Sequence, residues 1–459
     1  MRDRVAVGAW RRIPWAVLLV LALAAGACSG AGGGGGSEGG QTTITVATVA
    51  NPQMQDIQKL SSVFEKDNPN IKIKFVILPE NELRDRVTQD IATKGGQYDV
   101  VTIGTFEAPQ WAKNGWIENL SPYTQKDPSY DVNDLIPTVA KALSYNDALY
   151  AVPFYGESSF LMYRKDLFDQ AGLTMPAHPT WDQVAQFARK LNNPKKNQAG
   201  ICLRGLPGWG EVFAPLNTVV NTFGGRWYDM NWNAQLTEAP FKQATRFYVN
   251  LVKDAGEPGA PNSGFTECLT TYSQGHAAMW YDATVAASLL EDPKSSKVVG
   301  KNGYAPAPVK DTTWSGWLWA WSLAMPSTSK NKDAAWKFMS WATSKDYIKL
   351  VGEQLGWARV PPGSRLSTYQ LPEYEKAAAA FADLTLEAID QADVTNAGTQ
   401  PRPYTGVQYV SIPEFQSLGT AVSQEISAAI AGRQTVDQAL QKGQQQAEQV
   451  AQEAGYKKG

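Results

Sequence analysis

The chain has 459 residues, 43% hydrophobic and 19% charged, with a formal net charge of −2. That is the composition of a soluble globular protein, and the length exceeds one ordinary core and points to two lobes of domain size. Without a concentrated basic stretch, nucleic acid is excluded as a partner, because phosphate binding relies on clustered Lys and Arg.

Arg2, Arg4, Arg11 and Arg12 precede an apolar run from Val17 to Ala25, and small residues Gly26 and Ala27 lead to Cys28. A positive head, a short apolar stretch and a small-residue cleavage site describe an export signal. The run is too short for an ordinary membrane-spanning helix, and no later stretch is long enough either, so the exported chain is expected outside the membrane. Ala25-Gly26-Ala27-Cys28 resembles a bacterial lipobox, in which the cysteine is lipidated and becomes the new N-terminus; Ala25 stands where Leu is usual. Simple cleavage at an Ala-x-Ala-like site is the alternative. Residues 1–28 thus read as a lipoprotein signal with lipidated Cys28, and residues 29–42, nearly all Gly and Ser up to Gly40, as a flexible tether.

The first ordered element is a strand at Ile44–Ala47, followed by a turn at Asn51-Pro52 and an amphipathic helix over Gln53–Lys66. Met54, Ile57, Leu60 and Phe64 fall at helical spacing. Ile71–Ile77 reads as the next strand, Glu82–Thr93 as a helix stopped at Gly95-Gly96, and Tyr98–Ile103 as a third strand. Strand, helix, strand, helix, strand predicts a parallel sheet with helices on its faces. Ligands in such sheets bind beyond the carboxyl ends of the strands, which singles out the loops holding Asn51, Thr105 and Glu107. Turn formation and helix capping are the plain alternative for these polar residues.

Leu149–Tyr163 is a strand-like run bent by Pro153 and Gly156, a plausible crossover between lobes. Thr180 caps a helix over residues 180–191 with Trp181, Val184 and Phe187 inside, residues 200–232 alternate Gly with aromatic and polar residues as cleft loops do, and the tail from Ser411 is helical. Cys202 and Cys268 are free to pair or to remain two buried thiols. With only His178 and His276 and no close thiol pair, a zinc or His-based site has little material. No phosphate loop, metalloprotease, nucleophile-elbow or dinucleotide motif is present.

Sixteen tryptophans stand out, densest at Gly208-Trp209-Gly210-Glu211, Gly225–Tyr228 and Gly316–Trp321. Core packing is the plain reading of any single one. In a sugar or polyol site, however, the apolar C–H face of the ligand lies on an aromatic ring. Each hydroxyl then needs a partner, since an unmet buried polar group costs about 1–3 kcal/mol. Charged groups make the stronger bonds, so Glu107, Glu157, Arg204, Glu211 and Asp282 are candidates, with structural ion pairs as the alternative for each.

Seven short stretches carry a family resemblance. They are Asp99–Pro109, Pro153–Ser159, Gly200–Gly205, Phe223–Trp227, Asp282–Ser288, Trp317–Trp321 and Gly356–Pro362. Together with the export signal, lipobox and leash they resemble the extracellular solute-binding proteins of carbohydrate-type ATP-binding-cassette importers, and within these the sorbitol- and mannitol-binding subgroup. The resemblance implies an α/β, two-lobe periplasmic-binding-protein fold of type II character, with ligand in the inter-lobe cleft. It places crossovers near Pro153–Glu157, Met279–Asp282 and Met325–Ser327. Lobe 1 is then residues 43–155 plus 281–325, and lobe 2 residues 157–279 plus 327–459. Asn51, Glu107, Glu157, Asp282 and Trp357 correspond to cleft positions, and Arg204, Trp209 and Glu211 face them from the second lobe. For Trp317 and Trp319, alternation along a strand sends only one face to the ligand.

The implied function is capture of a polyol or sugar by hinge closure and its delivery to the permease subunits of the importer. The protein is expected as a monomer, lipid-anchored on the extracytoplasmic face of the cell membrane, with no cofactor, metal or catalytic residue. Three other readings stand beside it. One is a secreted glycosidase or lyase using Glu107 with Glu157, or Glu211 with Asp282, as paired carboxylates. Another is a lipoprotein whose cleft serves sensing or adhesion, and the third keeps the transporter class with a mono-, di- or oligosaccharide cargo. Glu157→Ala and Arg204→Ala are both expected to abolish binding with little change in melting temperature.

Overall fold

The computed structural model describes residues 40–457, so the export signal, Cys28 and most of the leash lie outside the described residues. β1 (Thr42–Val49) leads through Asn51 into α1 (Pro52–Asp67), whose Met54, Ile57, Leu60 and Phe64 are buried. Pro52 at the helix start costs no hydrogen bond, since the first helical N–H has no intrahelical acceptor. β2 (Ile71–Leu78), α2 (Glu80–Thr93) and β3 (Val100–Ile103) follow. β2 and β3 both pair parallel to β1, the arrangement read from the sequence. α2 begins two residues earlier than its apolar spacing indicates, and that early turn carries Glu80 of the site.

β4 (Ala151–Glu157) and β5 (Ser159–Arg164) are separated by Ser158 alone. α3 (Trp181–Leu191) opens on a reciprocal capping box between Thr180 and Gln183. Then come α4 (Phe213–Thr222), α5 (Ala239–Ala255), α6 (Phe265–Ser273), β6 (Met279–Ala283) and β7 (Asn302–Pro306). β8 (Trp319–Ala324), α7 (Lys332–Ala342), α8 (Lys345–Leu355), α9 (Phe415–Ile430) and α10 (Val436–Glu453) complete the larger elements. The expected run of loops over residues 200–232 is interrupted by α4, every residue of which is buried.

The strands form two main sheets, one per lobe. The first has the order β2-β1-β3-β8-β4, with β8 antiparallel to both neighbours; the second is the antiparallel trio β6-β5-β7. The chain passes between them at Glu157–Ser159, at the end of the expected Pro153–Glu157 stretch. The other expected limits need correction. β6 and β7 bond to β5, so residues 281–306 accompany lobe 2 and Met279–Asp282 is no crossover. The chain returns to lobe 1 between β7 and β8. Met325–Ser327 stays inside lobe 1, where the Ser327 N–H donates to Trp116 O at 2.9 Å. α7 packs on α1, β1 and β4, which moves residues 332–342 from lobe 2 to lobe 1, whereas α9 and α10 pack on α5 in lobe 2. Local patterning identifies strands but not their distant partners, and the partners decide the lobe.

Cys202 and Cys268 form a disulfide with Cα atoms 5.7 Å apart, tying the segment before Arg204 to α6. Among the described residues, no helix is long and apolar enough to cross a membrane.

Candidate ligand-binding site

A cavity lies between the sheets. Lobe 1 brings Asn51 from the carboxyl end of β1, and Glu80 and Arg84 from the first turns of α2 beyond β2. Both places follow from the parallel unit, whose strand ends open toward the cleft. Tyr155 and Glu157 alternate on β4, and Trp319 and Trp321 alternate on β8, so each pair points to one side of the sheet. Arg204, Trp209, Phe265 and Gln408 come from lobe 2, and Trp317 from the segment that returns to lobe 1. Asn51 Nδ2 donates to Tyr155 Oη at 2.8 Å, fixing both on the wall.

Arg84 is held by two carboxylates and three rings. Its Nη1 donates to Glu107 Oε1 at 2.6 Å, and Nε and Nη2 donate to Glu80 Oε1 at 3.1 and 2.9 Å. The guanidinium carbon lies 4.1 Å from the ring centre of Trp209, 4.7 Å from Trp321 and 4.9 Å from Trp319. A weakly hydrated planar cation suits such a cage, because the ring faces are negative. Two glycines permit the approach. A Cβ on Gly104 overlaps the Trp319 indole, and a Cβ on Gly210 overlaps Glu80 and Arg84 across the lobe interface.

Arg204 is locked from behind. Its Nε donates to Asp282 Oδ2 at 2.8 Å and its Nη2 to Asp282 Oδ1 at 2.6 Å, while Nη1 reaches Gly210 O at 3.1 Å and Glu211 Oε2 at 3.3 Å. Asp282 also accepts from Trp280 Nε1 at 3.1 Å and the Ala283 N–H at 2.7 Å. Glu211 is pushed up to about 8, first by burial and then by the charge of Glu80, with Arg204 opposing. Burial likewise holds Glu157 well above the usual carboxylate range, and the nearby Arg204 only partly offsets it. Cavity side chains are therefore pre-ordered, and Glu157 keeps its carboxyl on the cavity wall.

Of the residues singled out in the sequence, Asn51, Glu157, Arg204, Trp209, Trp317 and Trp319 line the cavity. The other five do not. Thr105 donates to Leu318 O at 3.3 Å and accepts from Tyr409 at 3.2 Å. Glu107 stands behind Arg84 and accepts the Gly104 N–H at 3.0 Å, and Glu211 and Asp282 stand behind Arg204. Trp357 packs against Gly352 at the end of α8. Sequence reading misses Glu80, Arg84, Tyr155, Phe265, Trp321 and Gln408. Glu80 and Arg84 look like an ordinary exposed helical pair at i,i+4, and the signal for Trp321 was its shared face with Trp319. Neither carboxylate pair considered for glycoside chemistry has both members on the cavity wall, as that chemistry needs. One cluster of metal-ligand type exists among the described residues, Cys202, Glu257 and Cys268, and its sulfurs are joined to each other.

The sequence profile of the bacterial extracellular solute-binding proteins matches residues 30–349. A mannitol-binding protein of Pseudomonas aeruginosa is 47% identical over 418 residues, covering 91% of this chain and 94% of that one. A solute-binding protein from Agrobacterium vitis, solved with bound D-mannitol, superposes with a TM-score of 0.89 at 51% identity, covering 90% of this chain and 99% of that one. A solute-binding protein from Agrobacterium radiobacter in complex with ribitol gives a TM-score of 0.79 at 26% identity, over 90% and 99% of the two chains.

Proposed function

The chain belongs to the bacterial extracellular solute-binding proteins, and from that membership we propose that it captures a linear sugar alcohol of the mannitol type and hands it to an importer. The carrying observation is the cavity itself, lined by two guanidiniums locked by carboxylates and by a wall of four tryptophans. Aromatic faces take the C–H surface of a polyol, and the fixed polar groups take its hydroxyls. A mannitol-binding relative at 47% identity and a mannitol-bound neighbour at 51% support the cargo.

Capture proceeds by closure of the lobes on the Glu157–Ser159 crossover, and no bond is made or broken. Contacts between lobes favour the closed form, among them Asn81 Nδ2 to Pro207 O at 2.9 Å and Gln53 Nε2 to Ser288 Oγ at 3.0 Å. The closed protein then docks on the permease subunits of an ATP-binding-cassette importer. It works as a monomer, held to the membrane by a lipid on Cys28. A hexitol of about twelve heavy atoms bound at micromolar Kd, roughly −8 kcal/mol, needs only about −0.7 kcal/mol per atom, within reach of an enclosed ligand.

The test is a thermal-shift screen of the exported chain against polyols, aldoses and disaccharides. A ligand at about a hundred times Kd stabilises the native state by roughly 2.7 kcal/mol. Stabilisation by mannitol, sorbitol or arabitol and not by matching aldoses is expected. Stabilisation by disaccharides alone overturns the cargo, and none at all overturns the binding function.

A further inference from the structure

The charges around the cavity are unequal. Glu107, Glu157, Glu211 and Asp282 are buried there and Glu80 is partly buried, with only Arg84 and Arg204 as buried cations around the cavity among the described residues. Four of the acids are engaged: Glu80 and Glu107 hold Arg84, and Asp282 and Glu211 hold Arg204. Glu157 differs. It lines the cavity at 6% exposure, and among the described residues it forms no ion pair and receives no hydrogen bond of good geometry. The Trp317 indole N–H inclines toward it and is itself buried without a partner. An acid so placed is a ready counter-ion.

We propose that the same cavity accepts cationic amino-polyols, hexitols in which one hydroxyl is replaced by an ammonium group paired to the Glu157 carboxylate. This rests on the polyol reading of the site. An ammonium replaces a hydroxyl atom for atom, so the shape of the ligand is retained. It donates three hydrogen bonds and accepts none, which suits a carboxylate that lacks donors. The guanidiniums are already neutralised in place, so they offer little to an anion, and a sugar acid meets a surplus of like charge.

The groups acting on Glu157 are Arg204, Asp282 and Glu80, with Tyr155 beside it on β4. Burial raises its carboxyl well above the usual range, which favours the neutral form in the empty closed site. Seating an ammonium then requires the carboxyl proton to leave for solvent. Neutral mannitol makes no such demand.

The experiment is isothermal titration of the exported chain with D-mannitol, D-mannonate and the 1-, 2- and 3-amino-deoxy derivatives of D-mannitol. The two-fold symmetry of mannitol makes these three cover every position. The expected result is that at least one amine binds within about tenfold of mannitol near neutral pH, while mannonate binds more weakly than any amine. In two buffers of different ionisation enthalpy, that amine releases a proton that mannitol does not, and its affinity rises from pH 5 to pH 7. Glu157→Gln weakens both ligands, the amine by about tenfold more than mannitol. The inference is overturned if mannitol binds and every amine is more than about tenfold weaker, or if mannonate equals them. Failure of mannitol together with the amines overturns the polyol reading as well. The wild-type titrations decide the matter even if the variant does not fold.

Discussion

Arg204 and Asp282 meet fork to fork, Nε on Oδ2 at 2.8 Å and Nη2 on Oδ1 at 2.6 Å, with Asp282 fully buried. This changes the outlook for Arg204→Ala, which no longer leaves the melting temperature untouched. Removing either partner strands a buried charge, at a cost of about 3–5 kcal/mol. Denaturant unfolding of Arg204→Ala, Asp282→Ala and the double variant is expected to show losses that do not add. Additive losses would mean the pair is not coupled.

Glu157→Ala remains the cleaner probe of binding, because Glu157 supports no ion pair of the fold. Loss of polyol binding with an unchanged or raised melting temperature of the free protein is expected. A fall in melting temperature would make Glu157 structural.

Glu257 sits by the disulfide, and burial pushes its carboxyl up to about 7 from an ordinary 4.5. The folded state therefore holds a proton that the unfolded chain has released between those values. The associated stability is complete below pH 4.5 and is lost as pH rises through 7. Glu257→Gln removes that slope, so relative to wild type it gains about 3 kcal/mol between pH 4.5 and pH 8. Calorimetry of the two proteins at both pH values checks the sign.

Gly210 reads in sequence only as a small residue beside Trp209, and its role emerges from the opposite lobe. An added Cβ meets Glu80 and Arg84, so Gly210→Ala opposes closure and leaves each lobe intact. Polyol affinity is expected to fall about tenfold or more, equivalent to about 1.4 kcal/mol, with unchanged melting of the free protein. Retained affinity, with the usual ligand-induced compaction in small-angle scattering, would refute it.

The disulfide closes a loop with a sequence separation of 66. In the loop-entropy account, Cys202→Ser with Cys268→Ser costs about 4 kcal/mol. Equal denaturation midpoints for the variant and wild type would exclude that contribution.

What was legible in the sequence divides along physical lines. The opening parallel unit was visible because Met54, Ile57, Leu60 and Phe64 keep helical spacing between β-prone runs. Asn51 was found because it follows a parallel strand, and Trp209, Trp317 and Trp319 because aromatics beside Gly are unusual. Arg84 was hidden, since its meaning depends on three tryptophans brought from β8 and lobe 2. Glu107, Glu211 and Asp282 have the right chemistry, but their burial behind an arginine is a fact of packing. Lobe limits failed for the same reason, because β7 finds its partner in β5, far back in the chain.

Ser158 alone separates β4 of one sheet from β5 of the other, and Glu157 closes β4 on the cavity wall. In the proposed function, ligand contact and lobe motion thus share one stretch of backbone. In the proposed closing motion, a change of this acid acts on ligand contact and on the hinge together. Shifts of cargo in this lineage should accordingly come in company, with second changes at the pivot that restore the idle posture.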